Sequence, residues 1–379
     1  MKILIAPDSF KGSNTTISVA NKIEKGIRKV FPNAEVVKIP IADGGEGTVD
    51  ALVIGTGGEI KKAYVTGPLG KKIYAEYGVL KNGTAVIEMA AASGLPLISE
   101  EKRNPLLTTT YGTGELIKAA LDQGCKKIVI GIGGSATNDG GLGMAQALGV
   151  SFKDQDGNEL GYGGGELGKL AAINVSNLDS RINQTEIIVA CDVSNPLCGE
   201  KGASAVYGPQ KGATPDMIKE LDGNLKKYAD IIKQTLRKDI KDVSGAGAAG
   251  GLGSGLMVFC NAQLKSGIET ILDVVNIDRH LPTTDLVITG EGKIDGQSIY
   301  GKVPVGVGQR AKKYGVPVLA IVGDIGEGAS AVYEYGVDGI MSTVNKAMPL
   351  SEAMAKSSEL LEDAAERIMR IIKMGMDIS

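Results

Sequence analysis

The feature that most constrains the fold is a β-branched run that ends in a glycine-rich turn, KIVIGIGGSATNDGG at positions 127–141. Residues 128–132 predict a buried strand of a parallel sheet, and residues 139–148 continue at helical spacing. α/β proteins hold phosphate at such a strand, turn and helix start, because small residues let backbone amides approach the anion and the helix dipole favours its charge. We therefore predict a phosphorylated ligand here. The residues predicted to contact it are Gly133, Gly134, Ser135, Thr137 and Asn138.

Strand and helix patterns alternate over residues 1–60, 85–149 and 281–379. This alternation predicts one discontinuous α/β domain with a doubly wound, mostly parallel sheet of the Rossmann-like kind. Residues 61–84 predict two antiparallel strands, and residues 150–280 lose the regular alternation. We therefore expect an inserted α+β domain at 150–280, with or without 61–84.

The composition of the 379-residue chain is that of a globular protein, because 43% of its residues are hydrophobic and its formal net charge is only −3. Lys and Arg are spread without a basic block, so no nucleic-acid partner is expected. The chain has no run of about 18 apolar residues and its N-terminal apolar run is too short for a signal peptide, so no membrane contact is expected. Four cysteines without a C-x-x-C pair, and a single histidine, argue against structural zinc and predict reduced thiols in the cytoplasm. The number of subunits stays open.

Polar side chains follow the first predicted strand, residues 3–6. Asp8, Ser9 and Lys11 bring a carboxylate, a hydroxyl and an ammonium group to a strand end, where they can meet a ligand. Lys11 is a candidate catalytic residue that would neutralise a carboxylate or a phosphate. The alternative is structural, with Ser13 capping the next helix and Lys11 solvated.

Three carboxylates lie where predicted strands end or helices begin. Asp43 and Glu46 flank two glycines, and Asp192 follows the predicted strand 187–190. Asp43 and Asp192 are candidate general bases for a hydroxyl nucleophile, and Glu46 is a candidate Mg²⁺ ligand, because ATP arrives with its metal. The alternatives are an ordinary helix N-cap for Asp43 and a solvated loop position for Asp192.

The segment GEGKIDGQSIYGKVP at 290–304 nearly matches the Walker A pattern. A valine stands where the Mg²⁺-binding hydroxyl belongs and a proline follows it, so a true P-loop is not expected. Alternating charges still favour an anion and a metal at this strand end. Glu291 and Lys302 are therefore predicted to bind ligand and Asp295 to bind Mg²⁺. Lys211, between two glycines in GPQKGA, is a further candidate for binding substrate or nucleotide.

Two other functions are compatible with the sequence. Residues 131–136 match G-x-G-x-x-A, which suggests a nicotinamide-dependent oxidoreductase acting on a small 2-hydroxy acid. In that fold, an acidic residue that binds ribose should lie near the end of the next strand, about 20 residues further on. Here Asp154 and Asp156 fall in a polar loop, so phosphate binding is preferred. The second alternative function is that of a non-catalytic ligand-binding protein. The lone His280 lies in a polar turn, which disfavours a Ser-His-Asp apparatus.

Eight groups of residues occur in a fixed order along nearly the whole chain. They are APDSFKGS (6–13), ADGGEGT (42–48), TTTYGTGELI (108–117), GIGGSATNDGG (131–141), NPLCG (195–199), GPQKGA (208–213), GAGAAGGLG (245–253) and ITGEG with QSIYGK (288–302). In this order they resemble the bacterial glycerate kinases of the glycerate 2-kinase type. The resemblance implies a two-domain α/β enzyme that uses ATP and Mg²⁺ to phosphorylate D-glycerate, at C2 rather than C3.

Overall fold

The computed structural model describes residues 1–42, 45 and 47–378. The strands are β1 (Lys2–Ile5), β2 (Glu35–Lys38), β3 (Glu59–Thr66), β4 (Lys72–Val79), β5 (Thr84–Glu88), β6 (Lys127–Gly131), β7 (Ser151–Lys153), β8 (Ala172–Asn174), β9 (Glu186–Ala190), β10 (Gln263–Lys265), β11 (Leu286–Ile294), β12 (Val318–Ile325) and β13 (Gly339–Ser342). The helices are α1 (Thr16–Val30), α2 (Thr48–Thr56), α3 (Ala90–Ser93), α4 (Tyr111–Asp122), α5 (Leu142–Ala147), α6 (Ala203–Tyr207), α7 (Pro215–Leu236), α8 (Leu252–Cys260), α9 (Gly267–Val274), α10 (Val303–Lys312), α11 (Leu350–Ala355) and α12 (Ser357–Ile378).

The chain forms two compact units. Unit 1 comprises Met1–Asp43, Asp50–Thr56 and Ile268–Ser379, and unit 2 comprises Gly44–Val49 and Gly57–Gly267. Most neighbouring strands in their main sheets are parallel. The predicted mixed α/β fold with mostly parallel sheets is therefore confirmed.

Unit 1 contains a five-stranded parallel sheet in the order β13-β12-β11-β1-β2. Helices cover both faces, because successive residues of a strand point to opposite sides. Ile321 of β12 shares a buried cluster with Ile23 of α1 and Leu361 of α12. Its neighbour Ala320 belongs to the other cluster, with Val305 of α10. Unit 1 is thus doubly wound.

The strand order of unit 1 reverses between β1 and β11. The chain runs from β1 outward to β2, and from β11 in the opposite direction to β12 and β13. In open parallel sheets, ligands bind beyond the carboxyl ends of the strands at such a reversal. The residues that follow β1, together with the last residues of β11, are therefore the expected ligand-binding part of unit 1.

Unit 2 contains a six-stranded sheet in the order β10-β9-β6-β5-β4-β3. The strands β5, β6, β9 and β10 are parallel, so their carboxyl ends lie at one edge of the sheet. β3 and β4 form the predicted antiparallel hairpin, in which Lys62 pairs with Glu76 and Tyr64 with Tyr74. A separate two-stranded ribbon consists of β7 and β8.

The division into units differs from the predicted one at residues 85–149. These residues were expected with the terminal segments, but β5 pairs with β4 and β6, and β6 pairs with β9, so the segment lies in unit 2. Residues 268–280 lie in unit 1 rather than in the insertion. The physical reason is that both sheets use similar buried aliphatic strands, and alternation along the chain does not tell which strands pair.

Gly26 of α1 sets the distance between α1 and α12. An added Cβ would lie 2.5 Å from the Glu362 carbonyl oxygen and 2.6 Å from the Ala365 Cβ. Gly26→Ala should therefore lower the free energy of unfolding by about 1–3 kcal/mol in urea titrations, through overpacking. Gly223→Ala in α7 is the matched control, since nothing lies within 4 Å of its added Cβ. It should raise stability by about 0.5–1 kcal/mol. A stabilising Gly26→Ala would contradict this packing.

Candidate active site

The glycine-rich loop after β6 is held on both sides by hydrogen bonds. On one side, the Leu95 amide donates to the Gly134 carbonyl at 2.9 Å, and the Ala136 amide donates to the Ser93 carbonyl at 3.0 Å. On the other side, Thr108 Oγ1 donates to the Ala136 carbonyl at 2.8 Å. These hydrogen bonds to neighbouring segments give the loop a defined shape.

Gly133 and Gly134 form the exposed front of this loop. Gly134 has a φ of +70°, a conformation that favours glycine. Within the part of the chain that the structure describes, no group accepts a hydrogen bond from either amide. Both glycines are exposed, so these two donors are accessible to an anionic ligand, and the predicted contact with phosphate stays a prediction.

The helix that follows the loop does not make the predicted contribution. α5 begins at Leu142, three residues later than predicted, and it has only six residues. The Asp139 carboxylate accepts hydrogen bonds from the amides of Gly141 at 3.1 Å and Gly143 at 3.3 Å. A carboxylate of the protein thus occupies the start of α5. The expectation that this helix dipole holds phosphate is wrong, and the loop amides remain.

Asp139 is completely buried and linked to α4 as well as α5. Its Oδ2 accepts from the amide and the Oγ1 of Thr110, both at 2.8 Å. Thr110 Oγ1 in turn accepts from the Met144 amide at 2.9 Å. Burial raises the pKa of Asp139, and these hydrogen bonds act in the opposite direction. Asp139 therefore organises the backbone around the loop.

Lys211 lies against the same loop although it is more than 70 residues away in sequence. Its side chain is 2% exposed, and its Nζ donates to Ser135 Oγ at 2.8 Å and to the Thr137 carbonyl at 2.7 Å. Burial lowers the pKa of Lys211 to about 7, and the nearby Asp139 opposes this shift. The structure thus brings Lys211, which was predicted separately, into contact with Ser135 and Thr137 of the predicted loop.

The loop also carries two buried oxygens without hydrogen-bond partners in the described part of the chain. They are Thr137 Oγ1 and Asn138 Oδ1. The amide group of Asn138 is fixed, because its Nδ2 donates to Ser204 Oγ at 2.9 Å. Unsatisfied buried polar atoms are uncommon in folded proteins and are frequent where a ligand or water completes a network.

Carboxylates also lie at the ends of β5 and β9. Asp192 Oδ1 accepts from Ser266 Oγ at 3.1 Å and from the Gly267 amide at 2.9 Å. Glu88 Oε1 accepts from the Val49 amide at 2.8 Å. Asp192 was predicted from the sequence as a site residue, whereas Glu88 was not. The only available signal was an acidic residue at the end of a buried strand, and its partner is 39 residues earlier.

Asp43 and Glu46 lie outside the described residues. The intervening Gly45 is described, and an added Cβ at Gly133 would lie 3.7 Å from the Gly45 Cα. Gly45 therefore lies against Gly133 of the glycine-rich loop, within unit 2.

In unit 1, the residues after β1 lie beside the end of β11, at the reversal of strand order. The Asp8 amide donates to the Gly290 carbonyl at 2.8 Å, and the Ser9 amide donates to Asp8 Oδ1 at 2.6 Å. Lys11 is exposed. The structure thus brings the first predicted cluster next to the residue that precedes Glu291.

Glu291 is a buried carboxylate, 4% exposed, with a hydroxyl and an ammonium group beside it. Ser298 Oγ donates to its Oε1 at 3.0 Å, and Lys302 Nζ lies 3.4 Å from its Oε2. Burial raises the pKa of Glu291, Lys302 and Ser298 oppose the shift, and Asp295 adds to it. Lys302 immediately precedes α10. Ser298 was not predicted as a site residue, although it lies within the Walker-like pattern at 290–304.

The fold and these groups define a class of protein: an α/β protein whose parallel strands end in exposed loop amides, buried carboxylates and lysines suited to anionic ligands. The chain belongs to the glycerate kinase family, whose model matches residues 3–373. The resemblance inferred from the eight sequence motifs is thereby confirmed.

The similar proteins carry related names. The chain is 52% identical to the glycerate 2-kinase of Escherichia coli K12 over 99% of both chains. It is 53% identical to the glycerate kinase of Bacillus subtilis 168, over 99% of this chain and 98% of the relative. A crystal structure from Salmonella typhimurium LT2, provisionally assigned as glycerate kinase 2, is 48% identical, covers 100% of both chains and superposes with a TM-score of 0.92. These findings give no support to the oxidoreductase alternative.

The stability of the fold should depend on the Asp139 carboxyl group, because this buried group accepts hydrogen bonds from four donors. Asp139→Asn turns two acceptor oxygens into one and sets an NH₂ group against existing donors, so the free energy of unfolding should fall by about 2–4 kcal/mol. Asp154→Asn is the matched control. Asp154 also accepts from backbone amides, those of Asp156 and Asn158, but in an exposed turn. Its change should cost less than about 1 kcal/mol. Equal effects in urea titrations would contradict the structural role of Asp139.

Proposed function

We propose that this chain transfers the γ-phosphoryl group of ATP to the C2 hydroxyl of D-glycerate. The observation that carries this proposal is the 52% identity, over 99% of both chains, to a protein named glycerate 2-kinase. The family match and the other glycerate kinases support the acceptor. The name of the Escherichia coli relative supports position 2.

The glycine-rich loop supports binding of the ATP phosphates. Gly133 and Gly134 offer exposed amides, and Ser135, Thr137 and Asn138 supply polar side chains directly behind them. Phosphoryl transfer depends mainly on positioning and on neutralisation of phosphate charge. A loop that is already held in shape favours this chemistry, because little ordering remains to be done when ATP binds.

The chemistry of the donor groups fits Mg²⁺ carried by ATP. Mg²⁺ commonly takes one or two protein carboxylates and completes its shell with phosphate oxygens and water. Across the described residues, no three His, Cys, Asp or Glu side chains form a ready metal cluster. Asp295 lies close enough to Glu291 to influence its pKa. Asp295 and Glu46 are the two separate candidates for contact with the ion, which would supply positive charge to the phosphate oxygens.

Four predicted residues of unit 1 are the candidates for contact with glycerate. Lys11 and Lys302 are suited to neutralise its carboxylate or the transferred phosphate, and Asp8 and Ser9 offer hydrogen-bonding groups at the same strand ends. Glu291 forms an ion pair with Lys302. An incoming anion would compete for this lysine.

Asp43 and Asp192 are the candidates for accepting the hydroxyl proton. The Asp192 carboxylate is fixed by Ser266 and Gly267, so its orientation is defined before substrate binds. A general base must lie within hydrogen-bond reach of the proton that it removes, and a fixed orientation helps to meet that condition.

The compartment proposed for this enzyme is the cytoplasm. Cys125, Cys191, Cys198 and Cys260 are all free thiols, which is typical of reducing compartments. Among the described residues, no helix combines the length and the apolar character needed to cross a lipid bilayer. Small molecules, ATP and D-glycerate, are the proposed partners, and no nucleic acid is expected.

The product of the purified protein with Mg²⁺, ATP and D-glycerate should be 2-phosphoglycerate. Proton-coupled ³¹P NMR decides this directly, because a phosphate on C2 couples to one proton and gives a doublet, whereas a phosphate on C3 couples to two and gives a triplet. NADH with hydroxypyruvate should show no absorbance change. A triplet would refute C2 transfer while retaining kinase activity, and the absence of any new phosphate ester would refute the proposal.

Removal of the general base should reduce kcat by about 10²–10⁴-fold. Asp43→Asn and Asp192→Asn keep the side-chain shape and remove the basic oxygen, so the variant that lacks the base should show this loss in a steady-state assay. Asp230→Asn, on the exposed side of α7, is the control and should keep the parental kcat. If both Asp43→Asn and Asp192→Asn fold and retain near-parental kcat, neither residue is the base.

A further inference from the structure

A glycine-flanked turn directs Lys211 into the protein interior. The 3₁₀ turn that ends at Lys211 lies between Gly208 and Gly212. An added Cβ at Gly208 would lie 2.3 Å from the Ser204 carbonyl oxygen. One at Gly212, which has a φ of +88°, would lie 2.5 Å from the Arg103 carbonyl oxygen. Backbone on both sides therefore fixes the turn and the direction of the lysine.

Lys211 reaches the buried side of the glycine-rich loop and not its front. Its two hydrogen bonds go to Ser135 Oγ and the Thr137 carbonyl, whereas the exposed amides belong to Gly133 and Gly134. With only 2% of its surface exposed, the side chain lacks the access that direct contact with ATP requires. Its influence on a ligand must pass through the loop.

We propose that Lys211 is a positioning residue for phosphoryl transfer. Its side chain fixes the 135–137 segment from the buried side of the loop. When protonated, it also places a positive charge behind the amides that bind the phosphates of ATP. This inference rests on the proposed function and assigns one residue a role that does not involve contact with substrate. It replaces the expectation, drawn from the sequence, that Lys211 touches the ligand.

Few ionisable groups surround the ammonium group. Asp139, on the loop itself, favours its charged form. Arg103 lies on the adjoining segment, where its Nη1 donates to the Gln210 carbonyl at 3.5 Å. The Tyr228 hydroxyl of α7 donates to the Gly140 carbonyl, and burial keeps the pKa of Tyr228 high. The described residues provide no carboxylate in direct contact with Lys211, so an anion at the front of the loop would be a strong new stabiliser of its charge.

This arrangement links ATP binding to proton uptake. With the pKa of Lys211 near 7 in the free protein, the amine is mostly neutral at pH 8. Phosphate binding at the front raises that pKa, so the complex should take up a proton. At pH 6, one unit below this pKa, the lysine is already mostly protonated and little uptake should remain. The direction is therefore an uptake that grows from pH 6 to pH 8.

Isothermal titration calorimetry of the whole protein with MgATP, without glycerate, measures this linkage. Titrations at pH 8 in buffers of different ionisation enthalpy should show uptake approaching about one proton per ATP. Lys211→Met should bind ATP with no uptake attributable to this site. Lys238→Met is the matched control, because Lys238 also donates to a backbone carbonyl, that of Val258, and to a side-chain oxygen, that of Asn261. It should retain the parental uptake.

Steady-state kinetics separate positioning from a purely structural role. In Lys211→Met, kcat should fall by about 10²-fold and the KM for ATP should rise, while the KM for D-glycerate stays within about twofold. Partial unfolding alone would lower the apparent kcat without changing either KM. That kinetic result would overturn the proposal. Lys211→Arg keeps a charge that does not titrate in this range, so it should restore part of the ATP affinity without proton uptake.

If Lys211→Met does not fold, the parental protein and Lys211→Arg still test the inference. Absence of proton uptake on ATP binding to the parental protein at pH 8 would overturn it, and so would uptake that persists in Lys211→Arg. Failure of the proposed function has a different signature, namely ATP binding without any phosphoglycerate. The role of Lys211 and the identity of the acceptor are thus tested independently.

Discussion

Two buried polar groups, the Asp139 carboxyl and the Lys211 amine, determine the shape of the loop after β6. Burial of a polar group is costly unless hydrogen bonds compensate. Asp139 is compensated by four donors from Thr110, Gly141 and Gly143, and Lys211 by the acceptors on Ser135 and Thr137. The loop is therefore fixed from its buried side. Its front, where the amides are exposed, can meet a ligand without prior ordering.

Unit 1 repeats this design with other residues. Glu291 is buried at the reversal of strand order and is held by Ser298 and Lys302. In each unit a buried carboxylate and a lysine lie in or beside the segment that follows a parallel strand, β6 in unit 2 and β11 in unit 1. Since the carboxyl ends of parallel strands are the ligand-binding edge of such sheets, each unit carries a preformed polar cluster where the fold favours binding.

The longer helices and strands could be predicted from the sequence, because aliphatic periodicity marks them, as in α7 and β9. The sheet to which each strand belongs could not be predicted, since the strands of residues 85–149 have the same aliphatic pattern in either sheet. The three-residue strand β10 was also missed. At the site, glycine turns revealed the loop and Lys211, whereas Glu88 and Ser298 depend on tertiary partners that spacing does not show. The role of Asp139 as the partner of α5 amides was hidden for the same reason.

The contact of α1 with α12 has a consequence for biosynthesis. β1 pairs with β11, and Gly26 of α1 packs on Glu362 and Ala365 near the end of the chain. When a ribosome has made residues 1–270, the strands of unit 2 have all been made, but β1 and α1 still lack these neighbours. Unit 2 can therefore fold before α12 has been made, whereas β1 and α1 reach their packing partners in unit 1 only after β11 and α12 have been made.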